Sequence, residues 1–191
     1  MRAVLNLTGR SPLVMHNSRM IDPEDEIVRA IKEITDKGSK QTDADRAEVA
    51  RLEWYGGIYH DPEMGVHVPA WNVVKCLNRG GVITRQGTDV LRAVSLLTDK
   101  VPLVYEGPRD LAKMYERAEF RFRKEVGIGT KKVMRMRPIF RRWALSMEIE
   151  LLEEAMNPDA LLRVAETAGL SEGLGDARKL GFGRFTVEMK A

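Results

Sequence analysis

The chain has 191 residues, 43% of them apolar, with 31 Lys and Arg against 28 Asp and Glu and a formal net charge of +3. That length and apolar fraction suit one fold unit with a normal buried core, and nothing in the composition suggests disorder. Cys76 is the sole cysteine, which excludes an internal disulfide and cysteine-rich zinc sites and fits a reducing compartment. Polar residues interrupt the N-terminus too early for a signal peptide, and no apolar run approaches the ~18 residues that span a bilayer. The expectation is a cytoplasmic protein without a membrane partner.

Arg2 to Thr8 reads as a first strand, with Ala3, Leu5 and Leu7 on one face. Gly9 to Pro12 breaks it, and Leu13 to Met20 has no clean period, as in an extended loop. Asp22 and Pro23 carry the signature of a helix cap and first position, and Ile27, Ala30, Ile31 and Ile34 follow at amphipathic spacing. Thr42 with Asp45 predicts a capping box opening a second helix that Gly56 and Gly57 end. These two helices, over about 20–57, read as an insertion after the first strand. Ile58 to Val68 predicts a hairpin around Asp61 to Gly65. A third helix is expected over Trp71 to Leu77, closed by Asn78 to Gly81. The nearly continuous apolar run Val90 to Leu97 is expected to be a central strand, Val101 to Tyr105 a further strand, and Pro108 the start of a charged helix to about Phe122.

The strongest strand signal lies between Lys131 and Leu151, where Trp143, Leu145, Met147, Ile149 and Leu151 alternate with Ala144, Ser146, Glu148 and Glu150. Asn157 and Pro158 open a last helix ending at Gly169, and a glycine-rich loop precedes a final strand, Arg184 to Met189. This order predicts an α+β fold. A ferredoxin-like βαββαβ core, with an antiparallel sheet, helices on one face and insertions, fits it.

Charge is informative once mapped. From Arg117 to Arg142 there are ten Lys and Arg against only Glu119 and Glu125, a surplus of eight in a chain otherwise slightly acidic. Such a block, expected as a basic hairpin insertion over about 117–142, is either a polyanion-binding face or a solvated, salt-bridged surface. Alternation places Lys131, Val133, Arg135 and Arg137 on one face of a strand and Lys132, Met134 and Met136 on the other. The cations would contact phosphates; the methionines either wedge against bases or belong to the core. Aromatic residues are only 6% of the chain, too few for a broad base-stacking platform.

Three segments resemble, in order, the RAMP superfamily, the modified RNA-recognition-motif proteins of CRISPR systems. They are the first strand with Ser11-Pro12-Leu13 and His16-Asn17-Ser18, the segment Val68 to Leu77, and Gly173-Leu174-Gly175-Asp176-Ala177-Arg178-Lys179-Leu180-Gly181-Phe182-Gly183-Arg184-Phe185. Within that superfamily the chain looks most like a small version of the CRISPR backbone subunit that polymerises along guide RNA. It also resembles uncharacterised phage and prophage proteins of similar length, which implies the bacterial host cytoplasm as its location. The glycine expected after the first-loop histidine is missing, and Asn72 stands where a small residue is common.

The resemblance and the charge map together imply a single RAMP-like domain over 1–191. Its expected activity is non-catalytic binding of single-stranded RNA or DNA, with assembly into a homo-oligomer or filament and no cofactor or metal. The candidate contacts are His16, Asn17 and Arg19 in the first loop; Lys131, Lys132, Arg135, Arg137, Arg141 and Arg142 in the basic segment; and Gly175, Arg178, Lys179 and Arg184 in the glycine-rich loop. Two other classes fit the same residues. One is a phage protein-interaction or assembly factor acting on a host or CRISPR complex, and the other a metal-independent endoribonuclease with His16 as general base. His60, Asp61, Glu63 and His67 lack the helical spacing of a metal site.

Overall fold

The computed structural model describes residues 1–128 and 131–190, with the side chains of Ile128 and Lys131 outside the description. In chain order the elements are β1 (Arg2–Gly9), β2 (Leu13–Val14), α1 (Glu26–Thr35), α2 (Asp43–Gly57), β3 (His60–Asp61), β4 (Gly65–Pro69), α3 (Ala70–Ile83) and α4 (Gly87–Ala93). They continue through β5 (Val94–Leu96), β6 (Lys100–Pro102), β7 (Val104–Tyr105), α5 (Leu111–Glu116), β8 (Arg121–Ile128), β9 (Lys131–Phe140), β10 (Trp143–Leu151), α6 (Pro158–Ser171) and β11 (Phe185–Lys190). The architecture is mixed α and β with antiparallel sheets. Contacts divide it into two compact units: Met1–Leu13, His60–Glu106 and Phe140–Ala191 form the first, and Val14–Tyr59 with Gly107–Ile139 form the second.

The first unit is organised by a sheet in the order β11, β1, β10, β5, every neighbouring pair antiparallel, with β7 pairing the opposite end of β10 from β5. Register explains which face is buried. Leu5 lies opposite Met147 and Met189, and Leu7 opposite Leu145 and Val187, so alternate positions of three strands align on one apolar face. Helices α3 and α6 pack together, and α6 packs on β11 beneath that face. The other face carries Ser146, Glu148, Glu150, Thr186 and Glu188, all exposed. It carries Arg2 and Lys190 as well and has no aromatic residue, which makes it the wrong surface for stacked bases.

Several sequence expectations change here, each for a local reason. Val90 to Leu97 is not a central strand: α4 occupies its first half, burying Val90 and Ala93 three residues apart and leaving Leu91 58% exposed, and only Val94–Leu96 pairs, at the sheet edge. Asn78 to Gly81 does not end α3. Gly80 sits mid-helix because α6 comes so close that a Cβ there would lie 2.6 Å from the Cβ of Ala168. Gly169 likewise lies within α6. Val101 to Tyr105 divides into two strands, of which β6 pairs with β4 and β7 with β10.

In the second unit α1 packs on α2, and the capping box of Thr42 and Asp45 is present as expected. The cap of α1 is Asp25 rather than Asp22, since the Asp25 side chain accepts from Ile27 N at 2.9 Å while Asp22 accepts from Glu24 N in the preceding turn. The charged helix expected from Pro108 to Phe122 is only α5, capped by Asp110; a 3-10 turn follows and β8 begins at Arg121. Trp54 is fully buried, its ring edge-on to Tyr55 and Tyr115 at 5.2 and 5.4 Å between centroids, and its indole N–H donates to Phe120 O at 2.7 Å. That anchor fixes one side of α2 and leaves Glu53, one residue earlier, directed at β9.

Candidate nucleic-acid interface

The basic segment forms the antiparallel hairpin β8–β9 and then, after a break at Arg141 and Arg142, β10. Its register sets Lys124 opposite Arg135, Phe122 opposite Arg137 and Val126 opposite Val133, so these six share one face. On the other face Arg123 lies opposite Met136 and Glu125 opposite Met134. Arg123 and Lys132 are exposed, and Lys132 pairs with Glu125 at 2.9 Å. Met136 is buried and belongs to the core, whereas Met134 is 50% exposed. The turn residues Gly129 and Thr130 lie outside the described residues, as does the side chain of Lys131.

Glu53 was not a candidate from sequence, yet it organises this segment. It is only 6% exposed, its carboxylate pairs with the Arg135 guanidinium, and it accepts from Met136 N at 2.8 Å. Beside this pair a cavity of about 380 Å³ opens in the second unit. His16, Glu53, Arg135 and Arg137 supply its polar wall, with Lys32 and Thr35 at the rim from α1. Met20, Val28, Ile31, Val126 and Met136 supply the apolar wall.

His16 lines this wall and is itself exposed to solvent, with the wall covering part of its ring. Burial, followed by the charges of Arg137 and Arg135 and partly offset by Glu53, lowers its pKa from 6.5 to about 4, so the ring is neutral near pH 7. Burial also pushes Arg137 below its ordinary value, with Arg135 adding to the shift and Glu53 opposing it. The unfolded chain therefore takes up the His16 proton first, and stability present above a pH of about 6.5 falls as pH drops toward 4. His67, lowered by burial as well, adds in the same direction. The melting temperature of His16→Asn should decline less than that of the wild type across that window, measured by circular dichroism; identical declines would remove His16 from the balance.

The other first-loop candidates are occupied locally. Asn17 accepts from Arg19 N at 3.1 Å and donates to Ile58 O at 3.1 Å, tying the loop to the end of α2. Arg19 pairs with Asp25 at 2.7 Å. In the first unit, Arg142 pairs with Glu106 at 2.7 Å, and Arg141 is exposed.

The glycine-rich loop is a scaffold against the segment after β1. Ser11 Oγ donates to Gly181 O at 2.7 Å and accepts from Arg184 N at 2.8 Å, while Gly183 N donates to Pro12 O at 2.8 Å. Gly175 is exposed with φ of +73°, Arg178 is half-buried and Lys179 exposed. Arg184 turns under the loop, donating to Arg178 O at 3.4 Å, with Nη1 buried and without a hydrogen-bond partner among the described residues. Cys76 donates from the same region to Gly173 O at 3.2 Å; burial pushes its thiol up to about 12, which leaves it unreactive near neutrality.

The structure thus brings His16, Arg135 and Arg137 together at one cavity, and gathers Gly175, Arg178, Lys179 and Arg184 in one loop. No protein-family model and no curated protein matches the sequence. Among solved structures the chain is similar to a chain of the type III-B Cmr-β structure bound to cognate target RNA. That match has 13% identity and a TM-score of 0.49 and covers 99% of this chain and 59% of that one. It is also similar to Cmr6 from Pyrococcus furiosus, with 11% identity and a TM-score of 0.38, covering 98% of each chain. Likeness at this level carries no statement about this chain, whose architecture rests on its own strand order. No helix of the described residues is long and apolar enough to cross a membrane.

Proposed function

We propose that the chain is a non-catalytic protein that binds single-stranded nucleic acid through its β8–β9 hairpin. The observation that carries this reading is the register of the hairpin. It groups Lys124, Arg135 and Arg137 on one face, and places the exposed Arg123 and the Glu125–Lys132 ion pair beside the half-exposed Met134 on the other. Cations flanking an apolar side chain suit a strand whose phosphates are neutralised while a base rests on the methionine.

The first unit supports a ferredoxin-like, RAMP-type reading. Taking β1, α3, β5, β10, α6 and β11 as the βαββαβ core, the sheet order β11, β1, β10, β5 is fourth, first, third, second, all antiparallel. The glycine-rich loop between α6 and β11, whose sequence resembles that of the superfamily, closes on the segment after β1. The hairpin belongs to the chain inserted within this core.

Purified protein should carry nuclease-sensitive nucleic acid, read from the ultraviolet absorbance ratio before and after treatment, and should retard a bare single-stranded oligonucleotide. Clean protein that leaves the oligonucleotide unshifted at low salt would contradict the reading.

Assembly along the strand has its own support. Trp71, Val82, Ile83 and Leu91, on the adjoining helices α3 and α4, are 58%, 64%, 56% and 58% exposed, and a neighbouring copy that covered them would remove apolar surface from water. Light scattering with a long single strand should show several copies per strand, and Leu91→Glu should reduce the copy number; one copy on a strand of any length would end the filament idea.

A further inference from the structure

The cavity in the second unit has a composition that a phosphate-contacting groove does not need. Its volume, about 380 Å³, lies within the range of small-molecule sites, and its two walls differ in chemistry. On one side Met20, with Val28 and Ile31 of α1, lines it with apolar surface. The other presents two guanidinium groups on successive inward positions of β9, Arg135 and Arg137. Glu53 engages one nitrogen of Arg135, and a guanidinium has five N–H donors in a fixed fork. Charge counting narrows the ligand. With His16 neutral, Lys32, Arg135 and Arg137 against Glu53 leave a formal surplus of two positive charges. A phosphodiester brings a single negative charge, whereas a phosphate monoester carries about −1.5 to −2 near neutrality.

We propose that this cavity binds the phosphate monoester of a nucleotide, the phosphate held by Arg137 and Arg135 and the nucleoside laid against the apolar wall. The choice of a nucleotide over another phosphate monoester rests on the nucleic-acid reading above. Two sources supply this chemistry, a free mononucleotide and the phosphorylated end of a strand. Neutral His16 adds a hydrogen-bond donor or acceptor without excess charge. The hairpin would hold the strand by its diesters, and the cavity would recognise its terminus.

Calorimetric titration of the full chain with the 5′- and 3′-monophosphates of uridine and adenosine, with the nucleosides and with inorganic phosphate tests the site. At least one monophosphate should bind saturably, at one per chain, and at least about tenfold more tightly than its nucleoside or phosphate alone. Arg137→Gln should weaken it about tenfold or more, and Ile31→Trp, which fills the apolar side, should abolish it. Should Ile31→Trp not unfold cooperatively, Thr35→Trp on the exposed rim serves the same purpose. A strand phosphorylated at both ends should then be compared with the same strand bearing hydroxyls. A gain that vanishes in Arg137→Gln assigns the site to strand ends, and no gain alongside mononucleotide binding assigns it to free nucleotides. If no monophosphate binds and end phosphates add nothing, the cavity proposal is overturned, while salt-dependent strand binding would leave the function standing. Mononucleotide binding without strand binding would retain the cavity and remove the function.

Discussion

Removing the Glu53 carboxylate is expected to cost the second unit about 3 kcal/mol, because Glu53→Ala leaves the buried Met136 N–H without its acceptor and Arg135 without its ion-pair partner. Removing its partner should cost at least as much. The Arg135 side chain is 35% exposed and can turn to water when Glu53 is gone, but Glu53, 6% exposed, cannot do so when Arg135 is gone. Arg135→Ala would thus strand a buried carboxylate. The double variant should be clearly more stable than the two single losses added together, because the stranded charge is removed with its partner. Urea unfolding of the four proteins checks this, and simple additivity would show that the pair is not coupled. Arg135 is therefore a poor choice for probing nucleic-acid contacts alone, since its loss also disturbs the strand that carries them.

Gly183→Ala should lower stability by about 3 kcal/mol, or roughly 6–12 °C in melting temperature for a chain of this size. Gly183 has φ of +72°, and a Cβ there would overlap the carbonyl of Leu174, whose own N–H donates to Gly183 O at 2.9 Å. The clash is with the Leu174 backbone and not with a flexible side chain, so relief requires moving the loop. Gly181→Ala is the control: its φ is +84°, but nothing lies within 4 Å of a Cβ built there, and the expected cost is only the conformational strain of about 1 kcal/mol. Differential scanning calorimetry separates the two. Equal, small effects would mean that Gly183 does not lie against the Leu174 backbone in the way described.

What could be read from the residues, and what could not, follows from how far apart the interacting groups lie. β10 was legible because one of its faces is wholly buried, and burial of alternate residues writes itself into nine consecutive positions. The capping box of α2 and the Asn157-Pro158 start of α6 were legible because both partners sit within three residues. Val90 to Leu97 was not, since a short apolar run has no period to read, and α4 and β5 divide it between two conformations. Gly80 was misread because a glycine that stops a helix and one that admits a neighbouring helix look alike in one dimension. The asymmetry is sharpest at the cavity. Alternation along 131–137 put Arg135 and Arg137 on one face, but Glu53 stood among Asp43, Asp45, Arg46, Glu48 and Arg51 as one more charge on a helix. Only the packing of Trp54 turns it inward, and its partner is 82 residues away.

The central claim is that cations of the β8–β9 hairpin neutralise phosphates of a single strand. The most direct measurement is the salt dependence of oligonucleotide affinity for the wild type and for the triple variant Arg123→Ala, Lys124→Ala, Lys132→Ala, all outside the Glu53 pair. For single strands each phosphate contact contributes roughly −0.7 to the slope of log affinity against log salt. A folded triple variant should bind more weakly and with a slope shallower by about 2. An unchanged slope and affinity, in a variant whose melting temperature matches the wild type, would contradict the account.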